Sequence, residues 1–595
     1  MEIILKSKIK EGLKILYNSE VADDLVQIQE TRKEFTGDFT LIVFPLLRFS
    51  KNTPEKTGET IGKYLMDTFS SVTGFNVIKG FLNLEISFSW WISCFGEMLG
   101  SDDLLEKCRV TAPETILIEY SSPNTNKPLH LGHIRNNLLG FSLYRILRAC
   151  GHRVIKTNIV NDRGIHICKS MLAWQRFGKG ETPAQSGIKG DHLVGKYYVL
   201  FEREYRKQAD VLIADGMDPV EAKNNAPLLK EAREMLLKWE AGDPETMELW
   251  TLMNSWVYEG FNETYKKLGV DFDKIYYESD TYKTGRDLVY KALQKDLLYE
   301  NGDSSIWVDL SEEGLDRKLL LRSDGTAVYM TQDIGTAVLR HEEFNFDRCV
   351  YVVGNEQNYH FQVLKAILKK MDYSWSGGLF HFSYGMVELP EGRMKSREGV
   401  VVDADDIIAE MIETASELSR ELGKLSDFPE EEKDEIYRKI GLAALKYFIL
   451  KVDPKKNMTF NPDESIDFNG NTGPFIQYTY ARIRSVFRKA EETGITCSRN
   501  VSMTVSCGTK EIQLIKLLRR FSFTVTEAAK TYSPALVANY CYDLAREYNQ
   551  FYHDFTILGE TDKSVRDLRM GLSELTGRVL NTGMYLLGIE MPERM

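Results

Sequence analysis

Two histidines three positions apart are the first residues in the sequence whose type and spacing suggest chemistry. His130 and His133 lie in SSPNTNKPLHLGHIRNN, residues 121–137, with Gly132 directly before the second histidine and Lys127 three positions before the first. Imidazoles donate hydrogen bonds, lysine carries a mobile charge, and glycine lets a ligand approach the backbone. The pattern predicts a phosphate site whose donors stabilise negative charge developing in a reaction. Two unrelated histidines are an equal alternative; a zinc pair would need a third protein ligand, and none is obvious.

A second basic segment, EGRMKSREGVVVDADD at 391–406, follows a strand-like run. A run of charges is usually a solvated loop. Here, however, Arg393 and Lys395 are separated by Met394 and followed by Ser396, so the charges are interrupted. This composition suits a loop that closes over phosphates.

The elements around the paired histidines predict a parallel α/β sheet. TILIEY (115–120) is a buried strand, residues 132–150 form a helix, and RVIKTNIVND (153–162) is the next strand. In such sheets ligands bind in the crevice at the carboxyl ends of the strands. A helix that begins there offers free N–H groups and a positive dipole to an anion.

Three regions follow from the changes of pattern along the chain. Residues 1–105 are predicted to form a small α+β domain, and residues 106–405 the α/β domain, with a charged helical insertion at about 170–265. Residues 406–595 are amphipathic helix almost throughout, which predicts an all-α domain.

Composition limits the classes of protein that remain. The 595 residues are 43% hydrophobic and 27% charged, and no run approaches the ~18 apolar residues of a membrane span. The amino-terminal helix lacks the features of a signal peptide. The eight cysteines include no CxxC pair, so reduced thiols in a cytoplasmic protein are expected. The net charge of −12 argues weakly against a nucleic-acid partner, but does not exclude a local basic surface.

Several motifs resemble those of one enzyme family. HLGH (130–133) resembles the HIGH motif of class I aminoacyl-tRNA synthetases, and RMKSR (393–397) resembles their KMSKS loop. EYSSPNTNKPLHLGHIRNNLLG, with its SPN element and upstream lysine, is similar to the version found in the arginyl-tRNA synthetases. The strand-like runs GDFTLIVFPLL (37–47) and GFLNLEIS (80–87) resemble the N-terminal domain of the same family. VYMTQDIGTA (328–337) and the terminal LLGIEMPERM match that family in the same order.

The resemblance implies a Rossmann-like catalytic domain between a tRNA-elbow-binding domain and a helical anticodon-binding domain. The implied reaction activates arginine with ATP and transfers it to the 3′ end of tRNA(Arg). Mg²⁺ would accompany ATP; no tightly bound cofactor, no protein-bound metal and a monomeric state are expected. The implied catalytic residues are Lys127, His130, His133, Arg393 and Lys395. The implied ATP-binding residues are His130, Gly132, His133, Gly354, Met394, Lys395 and Ser396.

The resemblance also implies an arginine pocket and tRNA contacts. The pocket residues are Glu119, Ser122, Pro123, Asn124, His133, Glu278, Tyr329, Asp333 and Gln362. Carboxylates suit a guanidinium, whose planar fork pairs with them in a bidentate way. The tRNA-binding residues are Asn83, Tyr478, Arg482, Arg484 and Arg488, since cations follow phosphates and aromatic rings stack on bases.

The sequence departs from the family pattern at three places. Val363 stands where the family often has a pocket glutamine, which leaves Gln362 as the candidate. Arg163 and His166 replace residues of the frequent NDWG-x-Q motif, which puts that contact in doubt. Ser396 stands at the position of the second KMSKS lysine, a loss common in arginyl enzymes, for which Lys127 is the expected substitute.

Two other functions remain open on the sequence. A cysteinyl enzyme of the same class would need zinc ligands, which are missing, and the SPN element favours arginine. A non-catalytic tRNA-binding paralogue should have lost residues of the two motifs, but both histidines and Lys395 are present.

Overall fold

The computed structural model describes residues 1–595 except 33, 389, 391–401, 423–427, 497, 500, 501, 503, 504 and 506. The described chain forms two compact units. The smaller unit comprises 1–104, 486–521 and 546–579, and the larger unit comprises 105–485, 522–545 and 580–595. A compact unit here therefore joins segments that are distant in sequence.

The smaller unit contains an antiparallel sheet of order β1-β2-β4-β3. The strand-like run at 38–47 forms a strand only as far as Ile42, because Pro45 has no N–H to donate, and a short helix follows. Gly80, at φ 78°, makes the turn between the last two strands. The elements of the first part of the smaller unit are α1 Glu2–Tyr17, β1 Ile28–Glu30, β2 Phe39–Ile42, α2 Leu47–Ser50, α3 Pro54–Thr68, β3 Val72–Ile78, β4 Phe81–Ile86 and α4 Phe88–Gly100.

The larger unit is built on a five-stranded parallel sheet of order β12-β11-β5-β6-β7. The central part of its chain contains β5 Thr115–Glu119, α5 Leu131–Ala149, β6 Arg153–Val160, β7 Lys274–Tyr277, α12 Glu278–Leu293, α13 Tyr329–Phe344, β11 Arg348–Gly354, α14 Asn358–Lys370 and β12 Leu379–Tyr384. Strands β6 and β7 follow β5 on one side of it, and β11 and β12 come later in the chain on its other side. The crevice beside β5 is therefore the switch point where such sheets bind ligands.

Six helices connect β6 to β7 and occupy the predicted insertion. They are α6 Ile165–Phe177, α7 Pro183–Ser186, α8 Gly190–Ala214, α9 Pro219–Asn225, α10 Pro227–Glu240 and α11 Pro244–Leu268. Shorter strands and the following helices are β8 Tyr299–Glu300, β9 Ile306–Val308, β10 Lys318–Leu321, β13 Val387–Glu388, α15 Ala404–Leu422, α16 Glu430–Leu450, β14 Met458–Thr459 and α17 Pro462–Ser465. Four last helices have residues in both units: α18 Gly473–Glu492, α19 Thr509–Thr531, α20 Pro534–Asp554 and α21 Lys563–Leu586.

Helices α12 and α13 cross at two glycines. A Cβ on Gly335 would lie 2.5 Å from the backbone nitrogen of Gly285, and a Cβ on Gly285 would collide with the backbone oxygen of Thr331. The backbones can approach this closely only because both side chains are absent. The crossing sets the distance between the first turns of the two helices.

Gly285→Ala should destabilise the protein by about 1–3 kcal/mol, because the added methyl group forces the backbones apart. Alanine in a helix is otherwise more favourable than glycine by about 1 kcal/mol, so the expected sign is reversed by packing. Thermal or urea unfolding measures the effect. Gly302→Ala is the control, since a Cβ there meets nothing within 4 Å. Equal stabilities of the two variants would contradict the crossing.

Candidate active site

The paired histidines form the N-terminus of α5. His130 is the N-cap residue, and its side chain accepts a hydrogen bond from the backbone N–H of Gly132 at 3.1 Å. His133 Nδ1 accepts from the backbone N–H of His130 at 3.1 Å, and the two rings lie 3.9 Å apart. A ring nitrogen that accepts carries no proton, so both imidazoles hold their proton on Nε2. Both rings are thus neutral donors.

Burial and nearby charge keep these histidines neutral. Burial, aided by the ammonium of Lys127, lowers the pKa of His130 to about 3. Burial also lowers the pKa of His133 well below its usual value, with His130 and Lys127 adding to the shift. Near neutral pH both imidazoles are therefore uncharged and still offer an N–H donor each.

The loop between β5 and α5 is strained and held by side chains. Ser121 and Ser122 have φ values of 77° and 46°, which non-glycine residues rarely adopt. Asn136 of α5 accepts from the backbone N–H of Ser121 at 2.5 Å, and Asn158 of β6 accepts from that of Ser122 at 3.0 Å. The hydroxyl of Tyr265 lies 2.7 Å from Ser121 Oγ. Strain of this kind persists where surrounding structure over-determines it, as at functional sites.

A cleft of about 440 Å³ opens at this loop. Lys127 borders it beside His130, and burial lowers the pKa of this lysine. Within the described part of the chain no carboxylate lies at ion-pair distance from Lys127. The cleft is lined by Ser121, Ser122, Lys127, His130, Gly132, His133, Asn136, Val353, Glu356, Tyr384, Met386, Val387 and Glu388.

Arg393, Met394, Lys395 and Ser396 lie outside the described residues. The chain on both sides of 391–401 is tied to the histidine helix and its loop. Arg135 of α5 donates to the backbone oxygen of Met386 at 3.1 Å. The backbone N–H of Ala404 donates to the oxygen of Leu129 at 3.0 Å. The preceding flank thus lines the cleft, and the following flank is bonded to the backbone next to His130.

Ion pairs hold the chain just after 391–401. Asp405 accepts from Lys189 at 2.6 Å and from Lys267 at 2.8 Å, both on or next to helices of the insertion. His192 lies 3.2 Å from Asp403 and 3.4 Å from Asp405, and hydrogen bonds to these carboxylates raise its pKa to about 10. Burial opposes ionisation of Asp405, but hydrogen bonds from His192, Lys189 and Lys267 hold its pKa far below the usual range.

One described group has the residue types of a metal site. Ligand atoms of Asp191, His192 and Asp405 lie within 4.8 Å of one another. The ammonium of Lys189 already lies 3.1 Å from Asp191 and 2.6 Å from Asp405. A cation in that place repels a second one, so the donor set fits an ion-pair network better than a metal.

A group of acidic side chains, which we call the acidic pocket, lies at the start of two other helices. Glu278 begins α12, Tyr329 begins α13, and Asp333 follows one turn later on the same face as Tyr329. Burial raises the pKa of Glu278 to about 8, and the negative charges of Asp333 and Asp162 add to the rise. His360 Nε2 lies 2.6 Å from one oxygen of Asp333. A cation bound in the pocket would favour the ionised form of these carboxyl groups.

The NDRG motif positions this pocket. Asp162 is buried and accepts from the backbone N–H of Ser279 at 2.9 Å and from its hydroxyl at 2.6 Å, which fixes the residue next to Glu278. Arg163 lies over the ring of Tyr282 at 4.0 Å. His166 lies 3.0 Å from the hydroxyl of Tyr198, within the insertion.

Glu119, at the end of β5, connects the pocket to the cleft. Its Oε1 lies 3.4 Å from the hydroxyl of Ser122, which also lines the cleft. Its Oε2 forms an ion pair with buried Arg340 of α13. The backbone oxygen of Pro123 accepts a hydrogen bond from the backbone N–H of Asn161 at 2.9 Å. Asn124 forms an isolated parallel β-bridge with Asn161 and is exposed to solvent.

Of two further predicted residues, Gly354 lies next to the cleft and Gln362 lies outside its lining. Gly354 ends β11 directly after Val353, a cleft-lining residue. Gln362 is exposed and lines a separate cavity with Phe361 and His381, so the structure does not bring it to the histidine cleft. Val363 is buried in the core.

The predicted tRNA contacts lie on two parts of the chain. Asn83 lines a cavity of about 200 Å³ in the smaller unit, and its Oδ1 accepts from Thr40 at 2.6 Å. On α18, Arg482 lies over the ring of Tyr478 at 4.9 Å, and Arg484 pairs with Glu593 at 2.5 Å. Arg488 is half-buried on the same helix.

Sequence reasoning missed three groups that support the site. The partner of Glu119, Arg340, lies seven residues after Asp333, and helical spacing could have placed both on one face of α13. Asp403 and Asp405 follow the second basic segment directly, but nothing local indicates their partners. Asn136 lies inside the histidine helix, where an amide gives no signal by itself.

A parallel sheet that carries a paired-histidine helix at its switch point defines the catalytic domain of a class I aminoacyl-tRNA synthetase. The family described as tRNA synthetases class I (R), catalytic domain, matches residues 96–461, and the DALR anticodon binding domain matches residues 476–595. The chain belongs to the arginyl-tRNA synthetase family.

Relatives cover the whole chain. An arginine–tRNA ligase of Bacteroides thetaiotaomicron is 58% identical over 592 residues, with 99% of each chain covered. That of Parabacteroides distasonis is 58% identical over 585 residues, with 98% of each covered. The solved arginyl-tRNA synthetase of Thermus thermophilus has a TM-score of 0.79 at 24% identity, with 100% of both chains covered, which shows the fold. The predicted fold class is confirmed.

None of the helices in the described residues has the length and apolarity that crossing a membrane requires.

Proposed function

We propose that this chain activates L-arginine with ATP, giving arginyl-adenylate and pyrophosphate, and then transfers arginine to the 3′ end of tRNA(Arg). The observation that carries the proposal is the position of Ser122, which lies between two parts of the site with opposite charge preference. On one side lie neutral histidine donors at a helix N-terminus, and on the other lies the acidic pocket of Glu278 and Asp333. Phosphate and guanidinium have opposite charges, and the two sites match them.

The ATP phosphates are received at the start of α5. The Nε2–H groups of His130 and His133 donate to phosphoryl oxygens, and Gly132 leaves room for the nucleoside. Lys127 supplies a cation at the oxygens where charge grows, with Arg393 and Lys395 as further cations. Met394, Ser396 and Gly354 complete the ATP site. Stabilising charge more strongly in the transition state than in the ground state raises the rate.

Arginine lies across Ser122 with its guanidinium in the acidic pocket. Glu278, Asp333 and Tyr329 read the guanidinium, while Ser122 and Asn124 hold the α-amino end. Glu119, Pro123 and His133 complete the walls. Mg²⁺ enters with ATP as its charge partner, and no tightly bound cofactor is involved.

The tRNA is held at both ends of the chain. We assign residues 1–105 to the elbow of the tRNA through Asn83, residues 106–405 to catalysis, and residues 406–595 to the stem and anticodon. Tyr478, Arg482, Arg484 and Arg488 of α18 offer rings for bases and cations for phosphates. The protein acts as a monomer in the cytoplasm.

Arginine alone of the amino acids should be charged to tRNA. Lysine should fail, because its ammonium cannot pair with two carboxylates in the bidentate way of a guanidinium. Aminoacylation of total tRNA with each amino acid tests this, and ATP–pyrophosphate exchange with and without tRNA separates activation from transfer. Efficient charging with lysine or glutamine would overturn the proposal.

A further inference from the structure

Residues 402–404 are hydrogen-bonded to the backbone on both sides of His130. Asp403 is the partner of His130 in an antiparallel β-bridge. The flanking hydrogen bonds run from the N–H of Leu131 to the oxygen of Val402 at 3.3 Å and from the N–H of Ala404 to the oxygen of Leu129 at 3.0 Å. A displacement of 402–404 would therefore also displace the first histidine of the pair.

Three cations of the insertion hold this segment through two carboxylates. Lys189 and Lys267 donate to Asp405 at 2.6 and 2.8 Å. The ring of His192 lies 3.2 Å from Asp403 and 3.4 Å from Asp405. These carboxylates raise the pKa of His192 to about 10, so its imidazole is protonated near neutral pH. The segment is thus tied by ion pairs to α8 and α11.

The ion-pair network is shielded from solvent and balanced in charge. The side chains of Asp403 and Asp405 are each 12% exposed. The hydroxyl of Thr264 donates to Asp405 at 3.1 Å and accepts from Lys189 at 2.6 Å. Asp191, which is fully buried, lies 3.1 Å from Lys189 and is the third carboxylate beside the three cations. Removal of one partner from such a network leaves another charge unpaired, so the geometry of the network is strongly specified.

Helix α8 also packs against the loop that carries Lys127. A Cβ on Gly195 would lie 2.9 Å from Cδ of Pro128 and 3.6 Å from Cα of Lys127. The helix can approach the loop this closely because Gly195 has no side chain. The insertion therefore contacts the loop of Lys127 directly and reaches His130 through Asp403.

We propose that Lys189, His192 and Lys267 are positioning residues, which hold residues 402–404 and thereby place the Nε2–H donor of His130 against the ATP phosphates. A short two-stranded pair has only marginal stability by itself in water, so the bridge at His130 needs a further constraint. The ion pairs to the insertion supply it. The inference rests on the proposed function and adds that the insertion acts in the adenylation step.

Two lysines of the insertion give a matched pair of variants. The side chains of Lys267 and Lys196 are 49% and 48% exposed, and each lies 2.8 Å from a carboxylate, that of Asp405 and that of Glu181. Only Asp405 lies next to the segment bonded to His130. Lys267→Gln should slow single-turnover adenylation about 3-fold, while Lys196→Gln should leave it unchanged. Both variants should have the same melting temperature, because the ion pairs that they remove are equally exposed.

His192→Gln should have a larger effect, because it removes the charge and keeps a hydrogen-bond donor beside Asp403. The adenylation rate at saturating ATP and arginine should fall on the order of 10–10²-fold, since small errors in the position of a donor are costly. The Kd for arginine, measured by calorimetry, should stay near that of the wild type. His192→Arg returns the cation and should restore part of the rate.

Wild-type adenylation rates in both Lys267→Gln and His192→Gln would show that the network only stabilises the fold, and would overturn the inference. A slow His192→Gln that His192→Arg does not improve would also overturn it, because the positive charge would then not be what places His130. If His192→Gln does not fold, the two lysine variants still decide. A wild-type protein that forms no arginyl-adenylate, with or without tRNA, would instead overturn the proposed function.

Discussion

Lys127→Ala should reduce the rate of adenylate formation by about 10²–10³-fold while the protein stays folded and keeps its affinity for tRNA. Lys127 borders the cleft beside His130 and has no carboxylate partner among the described residues. Position 396 lacks the lysine that the family loop commonly has, so the growing phosphate charge needs another cation. Single-turnover adenylation measures the step directly.

Two further variants separate this role from a structural one. Lys230→Ala removes an exposed lysine of α10 and should change nothing, since exposed lysines contribute at most about 1 kcal/mol. Adding Ser396→Lys to Lys127→Ala should restore part of the rate, because it returns a cation to the loop. Adenylation at the wild-type rate in Lys127→Ala would leave this lysine as a solvated loop residue.

Arginine should bind more tightly as the pH rises from 6 to 8, by about 10²-fold in total. When binding releases one proton, each pH unit changes the binding free energy by about 1.36 kcal/mol. The pKa of Glu278 is raised to about 8 in the free pocket, so its carboxyl is mostly protonated below that pH. A guanidinium favours the ionised carboxylate, and binding at lower pH must therefore expel a proton. The affinity falls below pH 8 and levels off above it.

Calorimetry of arginine binding without ATP, in buffers of different ionisation enthalpy, measures affinity and proton release together. Glu278→Gln should bind weakly and lose most of the pH dependence. The pKa of His360 is raised by its hydrogen bond to Asp333. Its imidazolium competes with arginine for Asp333, so protonation of His360 also weakens arginine binding at lower pH. His360→Asn separates the two effects. A wild-type affinity that is constant from pH 6 to 8 would rule out this account of the pocket.

The sequence by itself determined the local elements and the family. The predicted strand at 115–120, helix at 132–150 and strand at 153–162 correspond to β5, α5 and β6 within two residues at each end. Contiguous patterns of apolar residues specify such elements, because periodicity decides which face of an element is buried. The motif chemistry was also readable, since HLGH is the start of one helix and its donors belong to one turn.

Only the tertiary structure decided which charges meet. Glu119 is paired with Arg340 of α13, and Asp405 is held by Lys189 and Lys267 of the insertion. The tertiary structure also joined residues 486–521 and 546–579 to the amino-terminal segment in one compact unit. Periodicity shows that a face is covered but not which distant segment covers it, and the pairing of buried charges depends on that segment.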